Sequence, residues 1–143
     1  MYDKKKLMEE LERDEDRVNH AYLDSEGYLT IGIGHLIDKK KGGSIPDFII
    51  DALLEYDIEQ KEQDLDHYLP FWRNLSNARQ RVLLTMAFNL GVGSLMGFKR
   101  FIAALRATDY NAASVEMLDS KWARQVGKRA TRLAEIMRTD KDV

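Results

Sequence analysis

Apolar residues recur at helical spacing along most of this chain, and the period breaks once, near the front. Leu7, Met8 and Leu11 share one face of a segment that Asp3 can cap, which predicts a helix to about Glu15. Over positions 16–36 the period changes. Ala21, Tyr22 and Leu23 lead into Asp24, Ser25, Glu26 and Gly27, a turn signature. Tyr28, Leu29, Thr30 and Ile31 follow, aromatic and β-branched residues suited to a strand. Gly32 and Gly34 flank Ile33, which predicts that the backbone there is closely approached by something. This Gly-x-Gly is not a phosphate loop, because no helix start and no further glycine at the required spacing follow it.

Lys39, Lys40, Lys41, Gly42 and Gly43 read as a mobile basic loop. Ser44 and Pro46 then open a long helix, whose predicted buried face is Ile50, Leu54 and Ile58, spaced by four. The helix continues through the charged stretch 59–66 and ends at Pro70, with Phe71 and Trp72. A helix that is apolar at one end and polar at the other is suited to bridging two lobes, with a hinge near its ends. From Ser76 onward every segment is helical. Ser76 or Asn77 caps a helix with Val82, Leu83, Met86, Ala87 and Leu90 inward, stopped at Gly91. Ser94 starts another with Leu95, Phe98, Ile102 and Leu105, and Asp109 caps a third with Ala112, Val115 and Leu118. A last helix over about 130–137 presents Leu133, Ile136 and Met137. Met86 and Phe88 read as packing residues, and Trp122 as core. There is no internal repeat and no low-complexity linker.

Composition narrows the class. With 143 residues, 44% hydrophobic and 32% charged, the chain is sized and composed for one folded domain of two small lobes. It has no cysteine, which excludes disulfides and thiolate metal sites. The three histidines, His20, His35 and His67, have no metal-ligand spacing, so neither metal nor cofactor is expected. A formal charge of −2 gives no general pull toward nucleic acid. No apolar run is long enough for stable membrane insertion, and Lys4, Lys5 and Lys6 lead into Glu9, Glu10, Glu12 and Asp14 instead of an apolar signal core. The expectation is synthesis in the cytoplasm as a monomer, with a separate release step if the target lies outside.

Candidate chemistry concentrates in the stretch 15–35. Glu15 is a carboxylic acid at a helix end, and Asp24 and Thr30 lie on the turn and strand that follow. One reading is an active site in which Glu15 is an acid while Asp24 and Thr30 hold a water. The other is a helix end and hairpin with ordinary surface charges, since acid pairs are common in charged proteins.

Resemblance favours the first. A Glu, eight intervening residues, an Asp, five more and a Thr are here Glu15, Asp24 and Thr30. Around them stand Tyr22, the run Glu26, Gly27, Tyr28, and the run Thr30, Ile31, Gly32, Ile33, Gly34, His35. The pattern resembles the phage-type lysozymes, the endolysin muramidases of glycoside hydrolase family 24. Behind the long helix, residues 86–91 resemble the family's second signature, as do Ser120, Lys121 and Trp122 followed by Arg129, Ala130 and Arg132. The resemblance implies an α+β, mainly helical lysozyme-like fold: a small β-hairpin lobe over about 13–58, a helical lobe from about 1–12 and 67–143, a bridging helix over about 46–68, and a cleft between the lobes. It implies hydrolysis of the β-1,4 bond from N-acetylmuramic acid to N-acetylglucosamine in peptidoglycan, lysing host walls. The rival is a non-catalytic glycan-binding or phage-tail structural module with the same fold.

Glycoside cleavage needs one group to protonate the leaving oxygen and another to act on the opposite sugar face. Glu15 fits the acid if burial at its helix end desolvates the carboxyl. Asp24 fits the base, with Thr30 gripping the water, an arrangement suited to inversion. Glu26, His35, Asn89 and Lys121 are candidate glycan contacts. Each has a plain alternative: turn residue, structural histidine, helix-end Asn and solvated Lys. The resemblance also implies a partner for His35 in Asp57. Arg129 and Arg132, at i and i+3, either approach the acids or stay solvated. Only 21 residues separate His35 from Asp57, which predicts a minimal lip. The mildly acidic charge predicts weaker attraction to an anionic wall than in basic relatives.

Overall fold

The computed structural model describes residues 1–38 and 44–143. The basic run Lys39, Lys40 and Lys41 with Gly42 and Gly43 lies outside the described residues. The fold is α+β and mainly helical, with one antiparallel sheet, and the contacts divide it into two units, Met1–Asp51 and Ala52–Val143.

The first unit holds helix α1 (Lys4–Glu15) and strands β1 (Val18–Leu23), β2 (Leu29–Gly32) and β3 (His35–Asp38), in the order β1-β2-β3. The Asp3 side chain caps α1 by accepting from the Lys6 N–H at 3.1 Å, as the sequence predicts. None of the α1 side chains is buried, and Leu7, Met8 and Leu11 are exposed. In this division α1 belongs with the sheet. The strands register with Tyr22 opposite Thr30, Leu23 opposite Leu29, Thr30 opposite Leu36 and Ile31 opposite His35. Thr30 is thus central in the central strand and only 4% exposed.

Helix α2 (Asp47–Tyr68) runs across the boundary between the units. Its predicted buried face is not buried: Ile50 is 49%, Leu54 46% and Ile58 37% exposed. Among the described residues of α2 only Leu65 is buried, because the core of the second unit engages the helix near its end, through Leu65 and the following Leu69. There Asp66 accepts from the Trp72 indole N–H at 2.8 Å and from the Arg73 guanidinium at 2.8 and 3.1 Å. Trp72 and Arg73 stand on a 3₁₀ turn (Pro70–Asn74), so this one carboxylate fastens the turn to the end of α2. The bonds from Arg73 and then from Trp72 hold the Asp66 carboxyl below its ordinary value of 3.8. A depressed carboxyl contributes stability that is full above its unfolded value and fades as pH falls through the lower folded value. Asp66→Asn should therefore lower the melting temperature at neutral pH, with the gap to wild type narrowing below about pH 4. Thermal melts of both proteins between pH 2 and 7 check this.

The rest of the second unit is α3 (Asn77–Leu90), α4 (Val92–Met96), α5 (Lys99–Arg106), α6 (Tyr110–Leu118), α7 (Lys121–Val126) and α8 (Lys128–Thr139). Ser76 caps α3, Asp109 caps α6 and Ser120 caps α7, each accepting from a backbone N–H three residues on. Gly91, at φ 77°, ends α3. The core gathers Trp72, Val82, Leu83, Met86, Leu95, Phe101, Leu105, Met117 and Met137 with their neighbours. Truncating any of the large ones to Ala costs about 2–5 kcal/mol, a large part of a small domain's stability. Arg79 ties three helices together. Its guanidinium lies 3.5 Å from the Tyr110 ring centroid, and its Nε donates to the Met137 carbonyl at 2.8 Å.

Three helical expectations change. The helix expected from Ser94 through Leu105 is broken: the Gly97 N–H turns back to Ser94 O at 3.1 Å, closing α4, and α5 starts only at Lys99. Helix α6 buries Ala113, Ser114 and Met117, leaving Val115 62% and Leu118 47% exposed, so the helix is rotated about one position from the expected face. Phe88, expected to pack, is exposed on α3, whereas Met86 and Trp122 are buried as expected.

Candidate active site

The hairpin from β1 to β2 is built around one peptide. The Asp24 N–H donates to the Tyr28 carbonyl at 2.8 Å, and the Gly27 N–H donates to the Asp24 carbonyl at 3.0 Å. Gly27 sits at φ 83°, a left-handed corner that glycine adopts without a Cβ penalty. The Asp24 side chain turns inward on the same loop: Oδ1 accepts from the N–H groups of Glu26 at 2.9 Å and Tyr28 at 2.8 Å. This is the local closure that Asp favours in turns.

Thr30 joins the same group. Its hydroxyl donates to the Tyr28 carbonyl at 3.1 Å. The backbone of Tyr28 therefore anchors both candidates, its N–H on the Asp24 carboxylate and its carbonyl under the Thr30 hydroxyl. With that proton committed, the Thr30 oxygen offers lone pairs. Asp24 Oδ2 takes no hydrogen bond among the described residues, so half of this carboxylate remains free for chemistry while the other half holds the turn.

Glu15 is the last residue of α1 and is exposed. The burial expected at this helix end is not found, since α1 contributes no side chain to a core. What it does meet is Gly34. At φ +66°, Gly34 presents its bare Cα side to the glutamate, and a Cβ there would stand 3.2 Å from Oε2 and 3.4 Å from Cδ and Cγ. The close approach expected around Ile33 is met at Gly34 and not at Gly32, where a Cβ would meet nothing within 4 Å. The corner leaving Glu15 is unusual, with the following Asp16 at φ 61° and ψ 156°. Across it, Arg17 donates to the Glu12 carboxylate at 2.6 and 3.4 Å, which holds the Glu12 carboxyl below the usual range. Asp16 has no sequence signal beyond being an Asp after a helix, because backbone strain is a property of the closed structure.

The remaining candidates are dispersed. The Glu26 side chain is exposed on the turn, and His35 is exposed at the start of β3. In the second unit, Asn89 is exposed near the end of α3. Lys121 opens α7 at the edge of a pocket shared with Lys99, Glu116 and Asp119. Arg129 and Arg132 are exposed on α8. Trp122 is buried with its indole N–H unpartnered among the described residues. Among the described residues no cluster of His, Asp or Glu suits a metal ion, and no helix is long and apolar enough to cross a membrane.

The chain is similar to known proteins over nearly its whole length. It is 32% identical, over 93% of its residues, to the pre-baseplate central spike protein Gp5 of Enterobacteria phage T4. It spans 28% of that much longer protein. It is 27% identical to probable T4-type lysozyme 1 of Dictyostelium discoideum, covering 90% of this chain and 91% of the relative. To probable T4-type lysozyme 2 of the same organism it is 24% identical, covering 93% and 94%. The family model described as phage lysozyme matches residues 12–139, which takes in Glu15, the whole hairpin and every rear helix, and the chain belongs to the phage lysozyme family.

Proposed function

We propose that this protein is a muramidase of the glycoside hydrolase family 24 type, hydrolysing the β-1,4 bond between N-acetylmuramic acid and N-acetylglucosamine in peptidoglycan. Glu15 is the acid, Asp24 the base, and Thr30 the group that steadies the water. The observation that carries the reading is the shared anchoring of Asp24 and Thr30 on the backbone of Tyr28. It leaves a carboxylate oxygen on the turn and a hydroxyl lone pair on the strand that follows uncommitted among the described residues, and family membership supports glycan as the substrate class.

In the proposed reaction the Glu15 proton goes to the glycosidic oxygen as the bond to the anomeric carbon breaks. A water gives one proton to Asp24 Oδ2, points its other toward the Thr30 oxygen, and forms the new bond from the opposite face. Glu15 is left ionised, Asp24 protonated and the anomeric centre inverted. Glu15 is exposed in the protein alone, and the bound sugar is what would shield it from water. Glu26, His35, Asn89 and Lys121 are proposed glycan contacts. The wall is reached after release from the cytoplasm.

A second reading draws on the likeness to a spike protein: a non-catalytic module on a larger phage structure. Purified peptidoglycan distinguishes the two. Our reading expects new reducing ends and clearing of permeabilised cells, with the α-anomer seen first by proton NMR. Binding without new reducing ends supports the second reading, and a β-anomer appearing first makes Asp24 a nucleophile and removes the role given to Thr30.

A further inference from the structure

We propose that Asp16 and Gly34 form a backbone seat that sets the aim of the Glu15 carboxyl, making both positioning residues for the reaction; this rests on Glu15 being the acid. The corner after α1 is held in a conformation that L residues rarely adopt. Asp16 has φ 61°, but its ψ of 156° is far from the left-handed helical value that Asp tolerates. Such strain persists only where the surroundings over-determine it. Two constraints do so here. Beyond the corner, β1 is registered on β2 through Tyr22 and Leu23. Across the corner, the Arg17 guanidinium closes on Glu12 at 2.6 Å, joining the last turn of α1 to the start of the sheet. The corner thereby sets how β1, and the sheet with it, leaves the end of α1, and so where Gly34 and the hairpin stand relative to the Glu15 side chain.

Gly34 supplies the other side. An exposed glutamate has three rotatable side-chain bonds and no reason to hold one rotamer. A Cβ on Gly34 would stand 3.2–3.4 Å from the Glu15 side chain, from Cγ to Oε2, so the glycine leaves that side of the carboxyl open. Such a Cβ would crowd the carboxyl, so the acid would have to give by a few tenths of an ångström. A misplacement on the order of 1 Å costs roughly 10²-fold in a positioned proton transfer, and a shift of a few tenths of an ångström costs a smaller factor, roughly several-fold.

The two residues separate aim from stability. Asp16→Gly relieves the strain, so its melting temperature should rise while kcat falls and KM stays constant. A role in folding alone would move activity with stability, in the opposite direction. Asp16→Asn has the same shape and the same local tolerance of positive φ without the charge, and should retain most of kcat, showing that the backbone and not the carboxylate matters. Gly34→Ala should lower kcat roughly several-fold with KM little changed. The readouts are kcat and KM on soluble peptidoglycan fragments, with thermal melts and Glu15→Gln as the reference. If Asp16→Gly is more stable and fully active, and Gly34→Ala loses activity only in proportion to its loss of folded protein, the seat is overturned while an inactive Glu15→Gln keeps the acid. If Glu15→Gln itself turns over at the wild-type rate, the acid assignment fails and the seat falls with it.

Discussion

Glu15→Gln is expected to fold like the wild type and to lose turnover on peptidoglycan by on the order of 10²-fold or more. The two halves of that expectation have separate grounds. Glutamine matches the glutamate in length and volume, so the contact with Gly34 survives. The carboxyl is exposed, and no hydrogen bond or ion pair of Glu15 is found among the described residues that the substitution would break. A surface change of this kind alters stability by no more than about 0.5 kcal/mol. The chemical half follows from the leaving group. A sugar alkoxide leaves slowly unless it is protonated as the bond breaks, and an amide has no proton to give at useful acidity. Initial rates of reducing-end release, measured beside thermal melts, read both halves together. Full turnover at an unchanged melting temperature would remove Glu15 from the mechanism.

Local signals in the sequence carried the ends of elements well. Asp3, Ser76 and Asp109 each cap the helix expected of them, and Gly91 stops α3, because capping depends on a side chain and backbone groups within three or four residues. The turn at Asp24 was legible for the same reason: the bonds that close it are all internal to residues 24–28. Which face is buried was less legible, since that is decided by what else the chain brings against it. Ile50, Leu54 and Ile58 have the spacing of a buried stripe, yet the core of the second unit takes hold only at Leu65 and Leu69. Val115 and Leu118 lost their expected places to Met117, whose longer and more pliable side chain fills the core beneath α6. At the site, residue identity gave Glu15, Asp24 and Thr30 as candidates, and the glycines around Ile33 marked a close approach. That the group approaching is the Glu15 side chain depends on a contact 19 positions away in the chain, from residue 15 to residue 34, which no local pattern encodes.

Substitutions at Asp24 should divide its two roles more sharply than any other change in the hairpin. Asp24→Asn keeps an oxygen where Oδ1 is, able to accept from the N–H groups of Glu26 and Tyr28, so the turn should close and the melting temperature should change little. The amide cannot take a proton from water, so turnover should fall by on the order of 10²-fold or more. Asp24→Ala removes the acceptor as well. Two N–H bonds to a charged oxygen disappear from the loop that carries Tyr28, at a cost of about 1–3 kcal/mol, moderated because this loop can turn to water. With the Tyr28 backbone loosened, Thr30 loses the carbonyl that fixes its hydroxyl, and the Ala variant should be both less stable and inactive. Melts and rates on the pair then carry distinct meanings. Equal stability of Asn and wild type, with the Ala protein melting lower, would assign Oδ1 to the fold. Equal inactivity of Asn and Ala would assign the free oxygen to the chemistry. An Asn variant that keeps wild-type turnover would leave Asp24 as a turn residue alone, and the water would need another base.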